Sequence, residues 1–451
     1  MTTENTNNNN TNIDRVGNMI KGSITVKLIV VTVLMLLLLI PTSMVKSIIQ
    51  ERERLNQTAT NEVSAIWAKQ QRVEGPVLTI PLIYAQKIGK DTAETTKYWH
   101  ILPEELRING DVSPETLKRG IYEVVVYKSA LELSGRFDLG SKPDPNHLKE
   151  IQYDKAFLTV GINDLRGVKN DIKVNWNGRK LDTDPGSKVS EMTNSGITVY
   201  LPEINKEEQK SYDFDFDLAL QGSGNLSFVP LGSRTEVQVS SPWSAPSFQG
   251  SFLPTTREVT DDGFEASWTV LELNRNFPQS WIGSGNFGLF NESAFGVDFI
   301  LPLDDYQKSF RSAKYAVLVI SLTFLLFFLV EVTNKQRIHP FQYALVGLAL
   351  CLFYVLLVSI SEHIDFNLAY GISTIGIVGM ISLYSISVFK KIKLSAVLFT
   401  ILTALYGFLF VTLQLSDYAL LLGSIGLSVI LGLTMYFTRN INWYQRTVAT
   451  K

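Results

Sequence analysis

The sequence predicts a multi-pass α-helical membrane protein with six spans and both termini in the cytoplasm. A large, mainly antiparallel and sandwich-like β domain is predicted on the extracytoplasmic side, inserted between spans one and two. Three observations support this fold class. Six apolar segments each approach the ~20 residues that a membrane-spanning helix requires. Basic residues occupy alternate connectors between these segments, and the long segment after the first span has the alternating pattern of β-strands.

The first span is predicted at residues 24–45. A cytoplasmic lead precedes it at residues 1–23; this lead opens with an Asn- and Thr-rich stretch and is predicted to be disordered. Lys27 lies close enough to the start of the span for its ammonium to reach the lipid headgroups. A cleaved signal peptide is the alternative. We favour an uncleaved span because the apolar core is long and no clean small-residue cleavage site follows it.

Five further spans form a predicted membrane bundle at residues 314–438, and a cytoplasmic tail follows at 439–451. The predicted spans are 315–333, 341–360, 368–389, 394–411 and 418–437. Basic connectors alternate with connectors that carry acids and no basic residue. The basic set is Lys335, Arg337, Lys390, Lys391 and Lys393, and the acidic set is Glu362, Asp365 and Asp417. Because Lys and Arg mark the cytoplasmic side, residues 46–313 are predicted to lie outside.

The extracytoplasmic segment is predicted to begin with an amphipathic helix at residues 47–73, which Gly75-Pro76 ends. Strands then follow at 77–86, 121–133, 157–164, 172–176, 196–202, 212–220, 235–240, 266–273 and 294–303. Asn177-Gly178 and Asn109-Gly110 are each predicted to form a two-residue hairpin turn. Strands without intervening helices predict antiparallel sheets in one or two lobes, and a lobe boundary would fall near residues 182–188.

Composition restricts the classes of function that the chain can serve. Its formal net charge of −2 gives no general attraction to nucleic acid. The single cysteine, Cys351, cannot form an internal disulfide, so the β domain must be held by its own hydrophobic core. The chain has no HExxH motif, and its four histidines lie far apart in the sequence: His100, His147, His339 and His363. We therefore predict no metal and no cofactor.

Two motifs contain residue types that occur in cofactor or catalytic sites. Residues 283–288 (GSGNFG) match G-x-G-x-x-G, but that motif needs a parallel strand before it and a helix after it, so we interpret them as a glycine-rich loop. Ser361, Glu362 and His363 have the residue types of acyl transfer. Because successive helical residues point about 100° apart, they cannot align as nucleophile, base and orienter. The chain is predicted not to be an enzyme.

Polar residues in or beside the spans are the candidate functional residues. Glu331 is the one acid clearly inside a span, where a carboxylate is costly and usually paired. Lys335 is its expected partner, with Arg337 or His339 as alternatives, and we favour a structural anchor. Glu362, His363 and Asp365 form either a proton-sensitive cluster or, as we favour, a polar cap. The complete candidate set is Glu331, His339, Tyr354, Glu362, His363, Asp365 and Tyr370.

Long stretches of the chain resemble the CreD family of bacterial inner-membrane proteins, also called cell envelope integrity proteins. The stretches include PEELRINGDVSPETLKRGIYEVVVY (103–127), SPWSAPSFQGSFLP (241–254), GFEASWTVLELNR (263–275), DDYQKSFRSAKYAVLV (304–319) and IHPFQYALVGLAL (338–350). The resemblance implies an inner-membrane protein that is under two-component control in some enterobacteria. It is linked there to envelope maintenance, colicin tolerance and responses to β-lactams. The resemblance carries no catalytic residue onto this chain.

The sequence and the resemblance together predict a non-enzymatic inner-membrane protein that supports envelope integrity and tolerance of envelope stress. Its periplasmic domain is expected to bind or sense an envelope component. The expected partners are the lipid bilayer and peptidoglycan, a lipid or an envelope protein, with no nucleic acid, and an oligomer is left open. The alternative is a transporter or flippase of a lipid or envelope precursor, which rests on Glu331, the Glu362-His363 pair and the tyrosines of the spans.

Overall fold

The structure of the chain is a computed structural model. It describes residues 24–88, 91–140, 143, 148–189, 192–204, 211–299, 305–334, 338–415 and 418–439. The predicted cytoplasmic lead, most of the predicted tail, Lys335 and Arg337 lie outside the described residues. The chain forms two compact units. The helical unit comprises Met1–Leu55 with Leu303–Lys451, and the β unit comprises Asn56–Pro302.

The described helices include one at the position of each predicted span. They are α1 (Ile24–Leu37), α2 (Leu39–Trp67), α3 (Gly288–Glu292), α4 (Asp305–Lys314), α5 (Ala316–Thr333), α6 (Pro340–Ser361), α7 (Phe366–Phe389), α8 (Ile392–Gln414) and α9 (Ala419–Thr438). A break at Leu38 separates α1 from α2. Its cause is Pro41, which has no N–H to donate to the carbonyl of Leu37 four residues earlier. The break is local, because Leu38 N–H still donates to Leu34 and Thr42 N–H to Leu38, so α1 and α2 form one continuous helical segment.

Within the described residues, five helical segments are long and apolar enough to cross a membrane. They are Val26–Trp67, Tyr306–Thr333, Pro340–Ser361, Phe366–Phe389 and Ile392–Gln414. The 20-residue α9 is a further apolar helix, in the place of the sixth predicted span. In the helical unit, α1 packs against α5 and α6, and α6, α7 and α8 pack in sequence. The short amphipathic α4 packs against α6 and α8.

The helix predicted at residues 47–73 ends earlier than predicted. α2 ends at Trp67, and the chain enters the first strand at Gln71, so Gly75-Pro76 lies inside a strand. The reason is that the backbone after Trp67 finds partners in the sheet. The N–H of Lys69 donates to Asp164 Oδ2 at 3.1 Å, and Gln71–Val73 pair in parallel with Leu226–Phe228.

Every predicted strand overlaps an observed strand. The observed strands are β1 (Gln71–Ile88), β2 (Asp91–Ile101), β3 (Glu105–Arg119), β4 (Tyr122–Asp138), β5 (Leu148–Ile151), β6 (Phe157–Ile162), β7 (Lys173–Trp176), β8 (Arg179–Asp182), β9 (Asp184–Pro185), β10 (Gly196–Tyr200), β11 (Ser211–Ser223), β12 (Asn225–Phe228), β13 (Arg234–Ser241), β14 (Pro246–Gly250), β15 (Thr256–Thr260), β16 (Gly263–Leu271), β17 (Ser280–Ile282) and β18 (Phe295–Phe299). They form a 10-stranded sheet around β1 and an 8-stranded sheet in the order β15-β16-β13-β3-β4-β11-β7-β8. The described pairings are antiparallel except β1 with β12 and β3 with β13.

The two sheets share one hydrophobic core. Tyr127 of the 8-stranded sheet contacts Phe299 of the 10-stranded sheet with ring centroids 5.2 Å apart, and Phe248 contacts Trp268 across the same core at 5.8 Å. The β unit is therefore a single sandwich-like lobe. The lobe boundary that the sequence left open near residues 182–188 does not divide the described core.

One predicted hairpin turn is confirmed and the other is wrong. Asn177 and Gly178 have φ values of 52° and 84° and join β7 to β8. Asn109 and Gly110 instead lie inside β3, which pairs with β4 over its whole length. A Cβ on Gly110 would lie 2.7 Å from Leu131 Cδ2, so this glycine serves close packing between strands. The chain reverses ten residues later at Gly120, where φ is +64°.

Candidate functional site

The seven candidate residues all lie in the helical unit, where the structure separates them into three groups. Glu331 and His339 lie beside the connector between α5 and α6. Glu362, His363 and Asp365 lie at the connector between α6 and α7. The two remaining candidates, Tyr354 and Tyr370, lie inside the bundle.

Glu331 is buried and both of its carboxylate oxygens have partners. Its Oε1 lies 2.6 Å from Lys27 Nζ and 3.4 Å from the backbone N of Ile338. Its Oε2 accepts a hydrogen bond of 2.9 Å from the Tyr343 hydroxyl. The side chain is only 2% exposed, so this carboxylate is stabilised by its partners rather than by water. It joins α1, α5 and α6 at one point.

Lys27 is a partner that the sequence analysis missed, since we expected its ammonium among the lipid headgroups. Instead, the Lys27 ammonium donates a charge-assisted hydrogen bond to the buried Glu331 carboxylate. The two residues are 304 positions apart in the sequence, so local spacing could not pair them. A signal was available: Lys27 and Glu331 are charges inside apolar runs, each near the predicted cytoplasmic end of its span. The predicted partners Lys335 and Arg337 lie outside the described residues.

His339 forms the N-cap of α6. Its Nδ1 accepts a hydrogen bond of 3.2 Å from the N–H of Phe341, and the Gln342 side chain accepts one of 3.0 Å from the N–H of His339. This reciprocal arrangement partners helix N–H groups that would otherwise lack acceptors. The side chain is exposed, and its contacts are those of a helix cap.

The connector between α6 and α7 is held by its acidic residues. Glu362 Oε1 lies 3.4 Å from Arg52 Nε, and Asp365 Oδ2 accepts a hydrogen bond of 3.0 Å from the N–H of Asn367, which caps α7. His363 is exposed between them. Glu362 and Asp365 therefore each have a structural contact, as expected for a polar cap.

The helix α1–α2 thus contacts the bundle near its start, at Lys27, and again at Arg52, well before its end at Trp67. Lys27 and Arg52 are separated by about 25 residues, or ~37 Å of helix, compared with a hydrocarbon core of ~30 Å. We call the two places the Lys27 end and the Arg52 end of the helical unit. The α5–α6 connector lies at the Lys27 end and the α6–α7 connector lies at the Arg52 end.

The interior of the bundle contains a cluster of aromatic rings with buried hydroxyls. The ring of Phe353 lies 4.9 Å from that of Tyr354, 5.4 Å from that of Tyr370 and 4.6 Å from that of Tyr406, measured between centroids. The Tyr370 hydroxyl donates to the Tyr406 carbonyl at 2.8 Å. Among the described residues, the buried hydroxyls of Tyr354 and Tyr406 have no hydrogen-bond partner. These three tyrosines lie on the halves of α6, α7 and α8 nearer the Arg52 end.

In the β unit, a second polar network caps the C-terminal end of α2. Arg166 Nη1 donates to the Ala65 carbonyl at 2.5 Å, and Gln221 Nε2 donates to the Trp67 carbonyl at 2.9 Å. These carbonyls have no partner within the helix, so the β unit supplies their donors. Asp164 positions Arg166 through hydrogen bonds of 2.9 and 2.6 Å, and those bonds lower the pKa of Asp164 to about 2. The sequence carries no signal that selects these donors.

A groove of about 550 Å³ lies on the open face of the 8-stranded sheet. One row of paired residues crosses it, in the order Asp111, Ser240, Glu265 and Glu258. Ser240 donates its hydroxyl hydrogen to Asp111. Glu258 and Glu265 face each other directly on neighbouring strands, which is an unfavourable pairing of like charges. The row makes this groove acidic.

The structure also shows the surroundings of the glycine-rich motif at residues 283–288 and of Cys351. Residues 283–288 follow β17, which pairs antiparallel with β2, and lead into the five-residue α3. This differs from the parallel strand and long helix of a dinucleotide site. Cys351 is buried with its Sγ 3.7 Å from Thr42 Oγ1. Among the described residues, no group of three His, Cys, Asp or Glu side chains is placed to hold a metal ion.

Comparison with known proteins agrees with the resemblance seen in the sequence. The family model described as "Inner membrane protein CreD" matches residues 23–444. The inner membrane protein CreD of Escherichia coli (strain K12) is 36% identical over 414 residues, which cover 91% of this chain and 91% of the E. coli protein.

Proposed function

The chain belongs to the CreD family of inner-membrane proteins, and from that premise we propose that it maintains envelope integrity by binding rather than by catalysis. The β unit would bind an envelope component on the periplasmic side. α2 would carry the bound state to the helical unit. The observation that carries this proposal is the set of contacts along α1–α2: charged pairs tie it to the bundle at Lys27 and Arg52, and β-unit donors cap its end at Ala65 and Trp67.

The proposed topology has six spans, with both termini in the cytoplasm and the β unit in the periplasm. Positive charge supports it, since the predicted cytoplasmic connectors carry the Lys and Arg residues. The contacts within the helical unit are consistent with it. The α5–α6 connector, which is basic, shares the Lys27 end, and the α6–α7 connector, which is acidic, shares the Arg52 end.

A binding role is favoured because four of the candidates, Glu331, His339, Glu362 and Asp365, already have structural partners. Both oxygens of Glu331 are occupied, His339 and Asp365 cap helices, and Glu362 pairs with Arg52. A carboxylate held in this way connects helices. Purified protein that hydrolyses or transfers an envelope component would overturn this part of the proposal.

The relay can be tested by weakening the caps of α2. Arg166→Ala combined with Gln221→Ala removes the donors to the Ala65 and Trp67 carbonyls. We expect this variant to enter the membrane at wild-type level but to lose complementation of a deletion strain under envelope stress. Arg257→Ala on β15 is the matched control, because Arg257 is exposed and takes no part in the caps of α2. Full complementation by the double variant at equal abundance would reject the relay.

Transport or flipping of a lipid or envelope precursor is the second candidate. The buried hydroxyls of Tyr354 and Tyr406, which have no hydrogen-bond partner, favour it because they give the bundle a polar interior. The test is complementation by Glu331→Gln and His363→Ala. If neither substitution affects it, a proton-coupled path through these residues is excluded.

A further inference from the structure

The buried face of α4 contains a charged residue and two hydroxyls. Lys308 is 7% exposed, Ser309 is 1% exposed and Ser312 is fully buried. On a helix, residues 308 and 312 share a face and residue 309 adjoins it, so the three form one patch. α4 packs this side of the helical unit against α6 and α8.

The patch combines an ammonium that lies over an aromatic ring with two buried hydroxyls. Lys308 Nζ lies 5.0 Å from the ring centroid of Phe366, and among the described side chains no carboxylate lies within ion-pair distance of it. The hydroxyls of Ser309 and Ser312 are buried without a hydrogen-bond partner. Each buried hydroxyl without an acceptor is costly, and the ammonium beside them carries a positive charge that these hydroxyls do not neutralise. An anion with several acceptor oxygens would relieve all three.

We propose that this patch binds the phosphate group of a phospholipid at the Arg52 end of the helical unit. A phosphate offers several acceptor oxygens and a negative charge, which matches one ammonium and two hydroxyls. Arg311 and Lys314 are exposed on the same helix and add positive charge around the patch. Asp365 precedes Phe366, over which the Lys308 ammonium lies, but its Oδ2 already accepts a hydrogen bond from the N–H of Asn367.

A lipid is favoured over a soluble phosphate because of where α4 lies in the chain. α4 and the apolar α5 belong to one candidate membrane segment, Tyr306–Thr333, and the patch lies at the start of that segment. Phosphate headgroups gather beside basic residues at the ends of spans. The ring of Phe366 lies under the Lys308 ammonium, and Phe366 is the first residue of α7, which is another candidate span. This inference concerns the helical unit and is independent of what the β unit binds.

The experiment titrates the full-length protein in detergent with three probes and measures binding by native mass spectrometry. The probes are dihexanoyl phosphatidylglycerol, dihexanoylglycerol, which lacks the phosphate, and inorganic phosphate. We expect the first to bind and the second not to bind. Lys308→Met should weaken phosphatidylglycerol binding roughly tenfold, the size expected for one charge-assisted hydrogen bond. Lys393→Met is the matched control and should change it by less than about twofold, because Lys393 is exposed at the start of α8 and is not part of the patch.

Equal binding of the phosphatidylglycerol and dihexanoylglycerol probes would overturn the proposal, as would wild-type affinity in Lys308→Met. Binding of inorganic phosphate without binding of the lipid would overturn the lipid source. If Lys308→Met does not fold, the comparison of the three probes on the wild-type protein decides the question. Ser309→Ala with Ser312→Ala then provides a milder loss of the same donors.

Discussion

His100 is a buried histidine whose protonation opposes folding. Its Nδ1 lies 3.0 Å from Thr79 Oγ1, and its ring lies 4.9 Å from that of Phe287 and 5.5 Å from that of Trp281. Burial lowers the pKa of His100 from 6.5 to about 4. Between these values the unfolded chain holds a proton that the folded chain does not. Stability is therefore fully present above pH 6.5 and is lost as pH falls toward 4.

We predict that His100 alone removes ~3 kcal/mol of folding free energy between pH 7 and pH 4. His100→Gln should show a smaller decrease in melting temperature over this interval than the wild-type chain. The measurement is thermal unfolding of the full-length protein in detergent, followed by tryptophan fluorescence. His363→Gln is the control because His363 is exposed, and it should behave as the wild type. Equal pH slopes for wild type and His100→Gln would contradict the assignment.

Glu331 and Lys27 are expected to be coupled in stability. Lys27→Met leaves a buried carboxylate without its cation, which should destabilise the protein by about 3 kcal/mol. Adding Glu331→Gln removes the unpaired charge, so the double variant should melt at a higher temperature than Lys27→Met alone. Melting in detergent measures this, and the exposed Lys393→Met serves as the control. Additive effects of the two substitutions would show that the pair does not interact.

At the scale of elements, the edge of the 8-stranded sheet contains a pairing that opposes folding. Glu258 on β15 faces Glu265 on β16 directly, and both side chains are exposed. Glu258→Lys replaces repulsion with attraction and should stabilise the protein by roughly 0.5 kcal/mol. The reciprocal control is Glu123→Lys, which breaks the 3.2 Å pair with Lys118 and should destabilise by a similar amount.

Thermal unfolding of the two variants measures this difference. If Glu258→Lys does not raise the melting temperature, electrostatic repulsion between these strands is negligible. If it raises the melting temperature but reduces complementation under envelope stress, the acidic row is retained for function at the expense of stability.

Sequence patterns predicted an element correctly where its structure depends on local backbone geometry, and failed where it depends on contacts with distant parts of the chain. Asn177 and Gly178 adopt positive φ values because a two-residue turn requires them, and the prediction there is confirmed. Asn109-Gly110 is the same dipeptide, but it lies inside a strand, where Gly110 is needed because Leu131 of the neighbouring strand approaches closely. Helix α2 likewise ends at Trp67 because Gln71 pairs with Leu226, far along the chain. The missed pairing of Lys27 with Glu331 belongs to the same class of long-range contacts.

For the whole molecule, charge and packing describe the same arrangement from independent observations. The distribution of Lys and Arg assigns alternate connectors to the cytoplasm without reference to any contact. The ion pairs Lys27–Glu331 and Arg52–Glu362 place the α5–α6 connector and the α6–α7 connector at different ends of the helical unit. This placement comes from contacts and does not use the distribution of Lys and Arg. Both observations support the proposed topology, which predicts that residues of the β unit are accessible from the periplasm.

That location can be tested with single cysteines in a Cys351→Ala background. Leu273→Cys reports on the β unit, because Leu273 is 94% exposed, and Lys391→Cys reports on the connector between α7 and α8. In intact spheroplasts, a membrane-impermeant maleimide should label Leu273→Cys, whereas Lys391→Cys should react only after permeabilisation. Cys351→Ala without a new cysteine is the control for background. Labelling of Lys391→Cys but not Leu273→Cys before permeabilisation would invert the topology. The β unit would then face the cytoplasm, where it could not bind a periplasmic component.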